Sequence, residues 1–355
     1  MAKLRSHTSP LVSPAFAPRL VAWQRAHGRH DLPWQNTRDP YRIWLSEIML
    51  QQTQVTTVIP YYMRFVAAFP DVRALAAAPL DRVLEHWSGL GYYRRAHHLH
   101  AAATAVVANH GGAFPRSAEA LATLPGIGRS TAAAIAVFAF GARAAILEGN
   151  VKRVLARHRG VEGFPGAAAV ESRLWSIAES LLPRRDIRTY TQALMDLGAA
   201  VCTRAAPHCD ACPVAKDCVA RREFRIGELP WPRPRKRLPH RDVRVLIVER
   251  AGEILLEKRP AVGVWAGLWS LPEVDLATSV GSHCKARFAA DVVVGAALDP
   301  IEHGFTHFHL KIHPQRVRVR TWPLAVHAPG HVWLTREDAL AAALPSPIRR
   351  LLAAL

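Results

Sequence analysis

The chain has 355 residues, half of them apolar, and its 46 Lys and Arg against 28 Asp and Glu give a formal net charge of +18. This length exceeds what one ordinary hydrophobic core needs and predicts two domains, while the charge favours nucleic acid as a partner over a basic but inert surface. No apolar run as long as a membrane span is free of charges or helix breakers, so no membrane partner is expected.

No acidic side chain occurs before Asp31, a property shared with mitochondrial transit peptides. Three prolines, at positions 10, 14 and 18, would break the amphipathic helix that such a peptide needs. We therefore expect residues 1–19 to be a basic, flexible N-terminus of a cytoplasmic, nucleoid-associated bacterial protein. Mitochondrial targeting remains the open alternative.

From about Leu20 to residue 225, the hydrophobic pattern predicts helices separated by short breaks. The clearest start is Asp39-Pro40, an N-cap acid followed by a proline at the first helical position, which predicts a helix from Tyr41 to Val55. Glu47 is an acid among the large apolar residues of this helix. It is either a solvated surface residue or a partly buried acid whose raised pKa suits general-acid chemistry.

Two glycine-containing segments interrupt the helices. In G-L-G-Y-Y-R-R, residues 89–95, glycines beside aromatics and arginines suit close backbone approach and base stacking, although core aromatics at a helix start fit almost as well. In L-P-G-I-G-R-S-T, residues 124–131, Gly126 and Gly128 predict a tight hairpin before an Ala-rich helix. The N-terminus of such a helix favours a phosphate, and Glu148 follows shortly after it.

Four of the five cysteines form a C-x6-C-x2-C-x5-C array, at Cys202, Cys209, Cys212 and Cys218. Clustered thiols in a chain without a secretion signal indicate a metal centre rather than disulfides. A single compact loop fits a [4Fe–4S] cluster better than a zinc ribbon, whose two cysteine pairs are widely separated, and zinc stays the alternative. Cys284 is expected to be an ordinary, partly buried thiol.

Residues 228–241 contain four prolines and a run of basic side chains, which predicts a stiff linker. Beyond it the period changes to that of strands, at 243–249, 253–259 and 308–322, with a helix near 336–344. The predicted organisation is therefore a helical domain at 20–227, with its cysteine loop at 202–218, and an α+β domain at 242–355.

Several of these motifs occur together, in the same order, in one known family. W-L-S-E-I-M-L-Q-Q-T-Q-V, G-L-G-Y-Y, L-P-G-I-G-R-S-T-A, G-N-V-K-R-V-L and the cysteine array resemble MutY-type adenine DNA glycosylases. V-W-A-G-L-W-S-L-P-E and H-G-F-T-H-F-H-L resemble the Nudix-like C-terminal domain of that family. The resemblance implies a multidomain protein, with an all-α helix–hairpin–helix glycosylase domain carrying a [4Fe–4S] cluster loop, followed by an α+β Nudix-like domain.

The resemblance also implies a function in base-excision repair, the removal of adenine opposite 8-oxoguanine or guanine in double-stranded DNA by a monomer. Glu47 would protonate the adenine, and the acid at position 148 would face the sugar cation. Gln52 and Tyr92 would wedge into the base stack. The remaining implied contacts are the hairpin, with Gly126, Gly128, Arg129 and Ser130 on the DNA backbone, and the 8-oxoguanine loop, with Phe305, Thr306 and His307; the four cysteines would hold the cluster.

Two residues of the glycosylase part bear on the chemistry. Bifunctional relatives of the endonuclease III type carry a lysine nucleophile at the position of Ser130; because serine cannot form a Schiff base, hydrolysis without strand cleavage is expected, and a glycosylase/lyase is disfavoured. Glu148 stands where the family has aspartate. The extra methylene moves the carboxylate by about an ångström, which predicts a slower enzyme or, as the alternative, a non-catalytic binder of lesion DNA.

The second domain also departs from its relatives. Active Nudix hydrolases need a glutamate-rich helix to bind magnesium, and the sequence after Glu273 lacks these acids. Thr306 replaces the serine that is usual in the family, which keeps the hydroxyl and adds a methyl. We therefore expect this domain to read the strand opposite the adenine rather than to hydrolyse nucleotides.

Overall fold

A computed structural model describes residues 15–234, 237–322 and 330–355. The predicted N-terminus, 1–19, lies mostly outside these residues. Its last part is helical, because the first helix begins at Phe16 rather than near Leu20, and both of these side chains are buried in the helical core. No helix in the described ranges is long and apolar enough to cross a membrane.

The prediction of an all-α first part is confirmed. Within residues 15–234 the chain forms twelve α-helices, which have the following bounds: α1 Phe16–His27, α2 Pro40–Leu50, α3 Val55–Ala68, α4 Val72–Ala77, α5 Leu80–Trp87, α6 Arg94–His110, α7 Ala118–Leu121, α8 Arg129–Ile135, α9 Gly149–Arg159, α10 Ala168–Ser180, α11 Ile187–Asp196 and α12 Val219–Arg222.

The helix predicted from Tyr41 to Val55 is two helices. Asp39 caps α2 as expected, accepting a hydrogen bond from the Tyr41 amide at 2.9 Å, with Pro40 at the first position. However, α2 ends at Leu50, and α3 starts at Val55 after a tight turn. Within that turn Gln52 has a φ of 57°, in the left-handed region, so the helix cannot continue through it.

The glycine hairpin lies between α7 and α8, and its two glycines have different roles. Gly126 has a φ of 75° and therefore needs the freedom of glycine. Gly128 is the N-cap of α8 with an ordinary extended backbone (φ −83°, ψ 168°), and a Cβ added to it would meet no atom within 4 Å. Of the two, only Gly126 must be glycine because of its backbone conformation. At Gly128 the lack of a side chain leaves open space above the helix N-terminus.

Two helices continue into π-helical turns, α8 through Ala136–Phe140 and α11 through Leu197–Val201. The second turn leads directly into the cysteine segment, where the Cys202 amide donates to the Leu197 carbonyl at 2.7 Å. Short 3₁₀ turns at Cys209–Ala211 and Ala215–Asp217 follow before α12. This segment contains little regular structure of its own to hold its shape.

The C-terminal part is built on an eight-stranded sheet, β1 His240–Arg250, β2 Glu253–Lys258, β3 Trp269–Ser270, β4 Glu273–Val274, β5 Asp291–Ala297, β6 Ile301–Gly304, β7 His309–Thr321 and β8 His331–Thr335, with helices α13 Val280–Phe288, α14 Arg336–Ala341 and α15 Ser346–Ala353. The central strands β1 and β7 are parallel, and the other pairs are antiparallel. The α+β prediction is confirmed.

One core of this part lies between β1, β2, β7 and α13. Leu246, Leu255 and Val317 supply its strand side, and Phe288 and Cys284 supply its helix side. Cys284 was expected to be partly buried, and it is a fully buried core thiol. The pair of strands predicted within 308–322 is one long strand, β7, in which Leu310 and Ile312 are buried in the first half and Val317 in the second half.

The internal contacts divide the chain into two compact units, each made of three separate stretches of sequence. The first comprises residues 1–66, 71–73 and 101–235, and the second comprises 67–70, 74–100 and 236–355. Most of α4, all of α5 and the start of α6 therefore group with the sheet. Near the predicted linker, Leu229 is buried and its carbonyl accepts from Arg157 Nε at 2.8 Å, so packing of the first unit extends past residue 227.

Candidate active site

The first unit contains a pocket of about 460 Å³ between α1, α2, α11 and the loop that follows α1. Its wall includes Glu47 from α2, Arg29 from the loop and Gln192 from α11. The volume lies in the range that holds small organic ligands. The helix that carries Glu47 is buried on its other side through Trp44, Ile48 and Met49, so the acid is held on a rigid support.

Glu47 is the residue whose protonation the site controls. Burial, and secondarily the nearby charge of Glu148, raises its pKa from 4.5 to about 8. A carboxyl group with this pKa carries its proton at neutral pH and can donate it to a bound base. Of the two interpretations left open by the sequence, the solvated surface residue is excluded, since the side chain lies in the pocket wall.

Glu148 is held by the start of α9, whose N-cap it is. Its two carboxylate oxygens accept from the Asn150 amide at 2.8 Å and the Val151 amide at 2.9 Å. Burial raises its pKa, and the two amides oppose that rise. The charge of Glu148 contributes to the raised pKa of Glu47, but Glu148 does not line the pocket. The two acids also have different supports, an apolar helix face for Glu47 and a helix N-terminus for Glu148.

Ser130 connects the hairpin helix to this acid. Its Oγ accepts a hydrogen bond at 2.9 Å from the amide of Leu147, the residue before Glu148. The hydroxyl therefore fixes the backbone that carries the second carboxylate. Neighbouring Thr131 accepts from Gln51 Nε2 at 3.3 Å, which ties α8 to the turn that contains Gln52.

A buried ion pair beside the pocket was missed from the sequence. Asp196 is 1% exposed and accepts from Arg29 at its side chain (2.7 Å) and backbone (3.1 Å), and from Gln192 Nε2 at 2.9 Å. Asp196 thereby fixes the positions of Arg29 and Gln192, which both line the pocket. The available signal was an acid at the apolar end of the helix predicted at 189–197, and its partner lies 167 residues away in the chain.

The hairpin arginine is already engaged within the protein. The Arg129 guanidinium lies 3.8 Å from the centre of the Trp175 ring and pairs with Glu179, both on α10. Its side chain is nevertheless 60% exposed. The contacts with Trp175 and Glu179 therefore hold the Arg129 guanidinium in place at the start of α8, beside the open surface at Gly128.

The four cysteines line a single cavity of about 30 Å³, together with Arg157 and His158. Burial and the other thiols raise the pKa of Cys212 to about 11, so a bound cation is needed to keep these sulfurs as thiolates at neutral pH. Arg157 Nη1 lies 3.5 Å from Cys202 Sγ. No three His, Cys, Asp or Glu side chains in the described ranges surround one point as ligands of a single ion.

In the second unit, the two adjacent tyrosines of the G-L-G-Y-Y segment have different surroundings. Tyr93 is buried, and its hydroxyl accepts from the Gly89 amide and donates to the Leu344 carbonyl, both at 3.1 Å. Tyr92 has a φ of 49° and is 49% exposed, with Arg95 against its ring. The core interpretation therefore holds for Tyr93, and the exposed aromatic is Tyr92.

The predicted 8-oxoguanine loop connects β6 to β7. Phe305 packs inward, stacked on Phe308 with ring centres 4.5 Å apart and tilted against Trp265 at 5.5 Å. Thr306 and His307 are exposed at the tip of the loop. The structure thus presents two of the three residues to a partner and uses the third as the anchor of the loop.

A helical fold with a glycine hairpin and a base-sized pocket containing a protonated acid defines a base-excision DNA glycosylase. Residues 45–180 match the family model of the HhH-GPD superfamily base excision DNA repair protein, and residues 243–354 match a NUDIX domain. The chain is 33% identical over 338 residues to the adenine DNA glycosylase of Buchnera aphidicola subsp. Baizongia pistaciae, with 95% of each chain covered. It belongs to the adenine DNA glycosylase family.

Other relatives agree with this assignment. The adenine DNA glycosylase of Mus musculus is 35% identical over 396 residues, covering 95% of this chain and 77% of the relative. A solved thermostable thymine-DNA glycosylase is 30% identical with a TM-score of 0.53, covering 59% of this chain and 96% of its own. A non-covalent endonuclease III–DNA complex, 20% identical with a TM-score of 0.50 and covering 59% and 94%, shares the fold.

Proposed function

We propose that the protein hydrolyses the N-glycosidic bond of adenine mispaired with 8-oxoguanine or guanine, without cleaving the DNA strand. The observation that carries the proposal is the half-buried Glu47, whose pKa is raised to about 8, in the wall of the pocket of about 460 Å³, with the charge of a second carboxylate, Glu148, acting on it. An acid for the leaving group and an anion for the sugar are what hydrolysis of a glycosidic bond requires.

The reaction begins with binding of the duplex backbone by basic side chains and by the amides of the hairpin at Gly126 and Gly128. Adenine leaves the base stack, at a cost of about a few kcal/mol that a mispair lowers. Glu47 donates its proton to N7 of the adenine, and the electrons of the C1′–N9 bond pass to the base as that bond breaks. The sugar becomes an oxocarbenium-like cation, which the carboxylate of Glu148 stabilises.

Water then adds to C1′ and loses a proton to a carboxylate of the site, which leaves free adenine and an abasic sugar. Ser130 supports hydrolysis over a covalent mechanism, because its hydroxyl oxygen accepts from the Leu147 amide and the residue provides no amine for a Schiff base. The pair Arg29 and Gln192, held by Asp196, supplies donors to the edge of the base in the pocket.

Selection of the mispair requires groups that contact the duplex outside the pocket. We assign this role to Gln52 and Tyr92 as wedges, and to Thr306 and His307 at the tip of the β6–β7 loop. The exposure of both side chains supports the assignment, and both residues have a left-handed backbone, a property that they share with the exposed residues Asp186, Phe224, Ala251 and Ala289.

We further propose that Cys202, Cys209, Cys212 and Cys218 hold a [4Fe–4S] cluster. The cluster would cross-link a segment that has little secondary structure of its own, and no step of the reaction passes through it. The cavity that all four thiols line supports this cofactor.

A single-turnover assay on a duplex with one adenine opposite 8-oxoguanine tests the proposed function. We expect release of free adenine and an abasic site that is cleaved only after alkali, with slower release opposite guanine and none for Glu47→Gln. A covalent complex trapped by borohydride would show a lyase instead. Tight binding without adenine release from the wild-type protein would show a lesion binder.

A further inference from the structure

One buried histidine next to the cysteine segment has no hydrogen-bond partner. His158, near the end of α9, is 2% exposed, and neither Nδ1 nor Nε2 has a partner among the described residues. One ring nitrogen of a neutral imidazole is a donor and the other an acceptor, and leaving such groups unpaired in the interior is unfavourable. The side chain is therefore arranged for a group other than the surrounding protein.

The position of the ring identifies that group. His158 lines the same cavity as the four cysteines, and on another side its ring packs against Phe16, with ring centres 4.6 Å apart. The neighbouring Arg157 also lines the cavity, but its donors reach the carbonyls of Leu229, Thr203 and Arg204. His158 is thus the buried side chain at this cavity that still has donor capacity in the described structure.

We propose that His158 is an outer-sphere partner of the iron–sulfur cluster and donates its ring N–H to one of the cluster's sulfurs. This inference rests on the proposed cofactor. Hydrogen bonds to the sulfurs stabilise the more negative, reduced form of a cluster and so raise its reduction potential. His158 is a positioning residue in this sense: it sets the reduction potential of the cluster and takes no part in adenine removal.

The test uses the full chain carrying its cluster. Iron and sulfide analysis of the wild-type protein comes first, and a protein that binds zinc or no metal overturns both the cofactor and this inference. With iron present, the cluster is reduced chemically by one electron to its paramagnetic state, and electron–nuclear double resonance of protein labelled with ¹⁵N-histidine is then expected to show a histidine nitrogen and an exchangeable proton coupled to the cluster. Absence of both signals, with iron at the level of a full cluster, overturns the inference and leaves the cofactor standing.

Three variants separate hydrogen bonding from packing. His158→Phe removes the donor, and we expect loss of the exchangeable-proton signal and a lower reduction potential, at unchanged iron content. His158→Gln keeps an N–H donor and is expected to return the potential towards the wild-type value. Phe16→Leu disturbs the packing of the same ring and is expected to retain both the signal and the potential. Equal potentials in wild type and His158→Phe contradict the proposal. If His158→Phe does not fold, the ¹⁵N signal of the wild type decides.

Discussion

Glu47 owes its chemistry to its surroundings. An ordinary glutamate gives up its proton far below neutral pH, and the apolar helix face around Glu47 raises its pKa to about 8. The activity should therefore fall as the pH rises through about 8, since the ionised form has no proton for the leaving base. A single-turnover rate profile from pH 6 to pH 9 measures this. A rate that stays constant to pH 9 would contradict the assignment of Glu47 as the acid.

The same raised pKa has a consequence for stability. The folded pKa exceeds the unfolded value, so the contribution of this group is complete below pH 4.5 and is lost as the pH rises towards about 8. Glu47→Gln should thus unfold at a higher temperature than wild type at pH 8, by a margin that shrinks towards pH 6. The gain is on the order of 1 kcal/mol per pH unit. Equal melting temperatures at pH 8 would show that ionisation of Glu47 is not opposed by the fold.

Glu148 should tolerate shortening better than loss of its charge. Aspartate is a favoured N-cap residue, so Glu148→Asp can keep hydrogen bonds to the amides at the start of α9. We expect Glu148→Asp to keep or raise the single-turnover rate, while Glu148→Gln loses most of it, by on the order of a hundredfold. Equal rates in all three proteins would remove this residue from the mechanism.

Asp196 and Asp186 offer a matched comparison on α11. Each pairs with an arginine near the start of the chain, but the Asp196 carboxylate is buried and Arg29 is half-buried, whereas Asp186 and Arg25 are both exposed. An exposed pair contributes about 0–1 kcal/mol, and a pair with a buried carboxylate is more costly to break because the remaining group loses its partner inside the protein. Asp196→Asn should therefore lower both stability and adenine release, while Asp186→Asn should change neither. Similar denaturation midpoints for the two variants would contradict this ranking.

At the scale of the elements, the hairpin between α7 and α8 has two glycines whose variants test folding and DNA binding separately. Gly126→Ala would place a side chain at a φ of 75° and should destabilise the fold by about 1 kcal/mol or more. Gly128→Ala fits the folded protein without strain, but its methyl occupies the open surface over the helix N-terminus. We expect it to weaken binding to any duplex while leaving the melting temperature unchanged. Unchanged DNA affinity in Gly128→Ala would exclude close backbone approach at this position.

The elements also show what sequence patterns can predict. The start of α2 was predicted because Asp39 and Pro40 act through local hydrogen bonding and a fixed φ. Its end at Leu50 was not, since the turn at Gln52 is left-handed in a residue that usually avoids this conformation. Strands β3 and β4, two residues each, are too short to show any period.

The candidate site was likewise predictable only where the signal is local in the sequence. Glu47 stood out as an acid in an apolar helix, and its role came from resemblance to a family. Tyr92 could not be separated from Tyr93, because only the fold decides which ring is buried. The Arg29–Asp196 pair joins residues 167 apart in sequence, and no local pattern announces such a contact.

For the whole molecule, the net charge of +18 determines how DNA is found and held. Each phosphate neutralised by the protein releases counterions, so affinity falls linearly with salt on a logarithmic scale. We expect undamaged duplex to bind with a steep salt dependence. The single-turnover rate at saturating protein should change much less, since the proton donor lies inside a pocket. A rate that follows the salt dependence of binding would contradict this separation.

The left-handed turns at Gln52 and Tyr92 bear on how the protein searches a genome. Each non-glycine residue in such a conformation holds about 1–3 kcal/mol of strain, which the surrounding fold sustains before any DNA arrives. The two protrusions are therefore ready-made probes rather than loops that must order themselves at every base pair. The time spent at each site is then set by how readily the duplex opens, and a mispair, which opens more easily, delays the protein where its chemistry is needed.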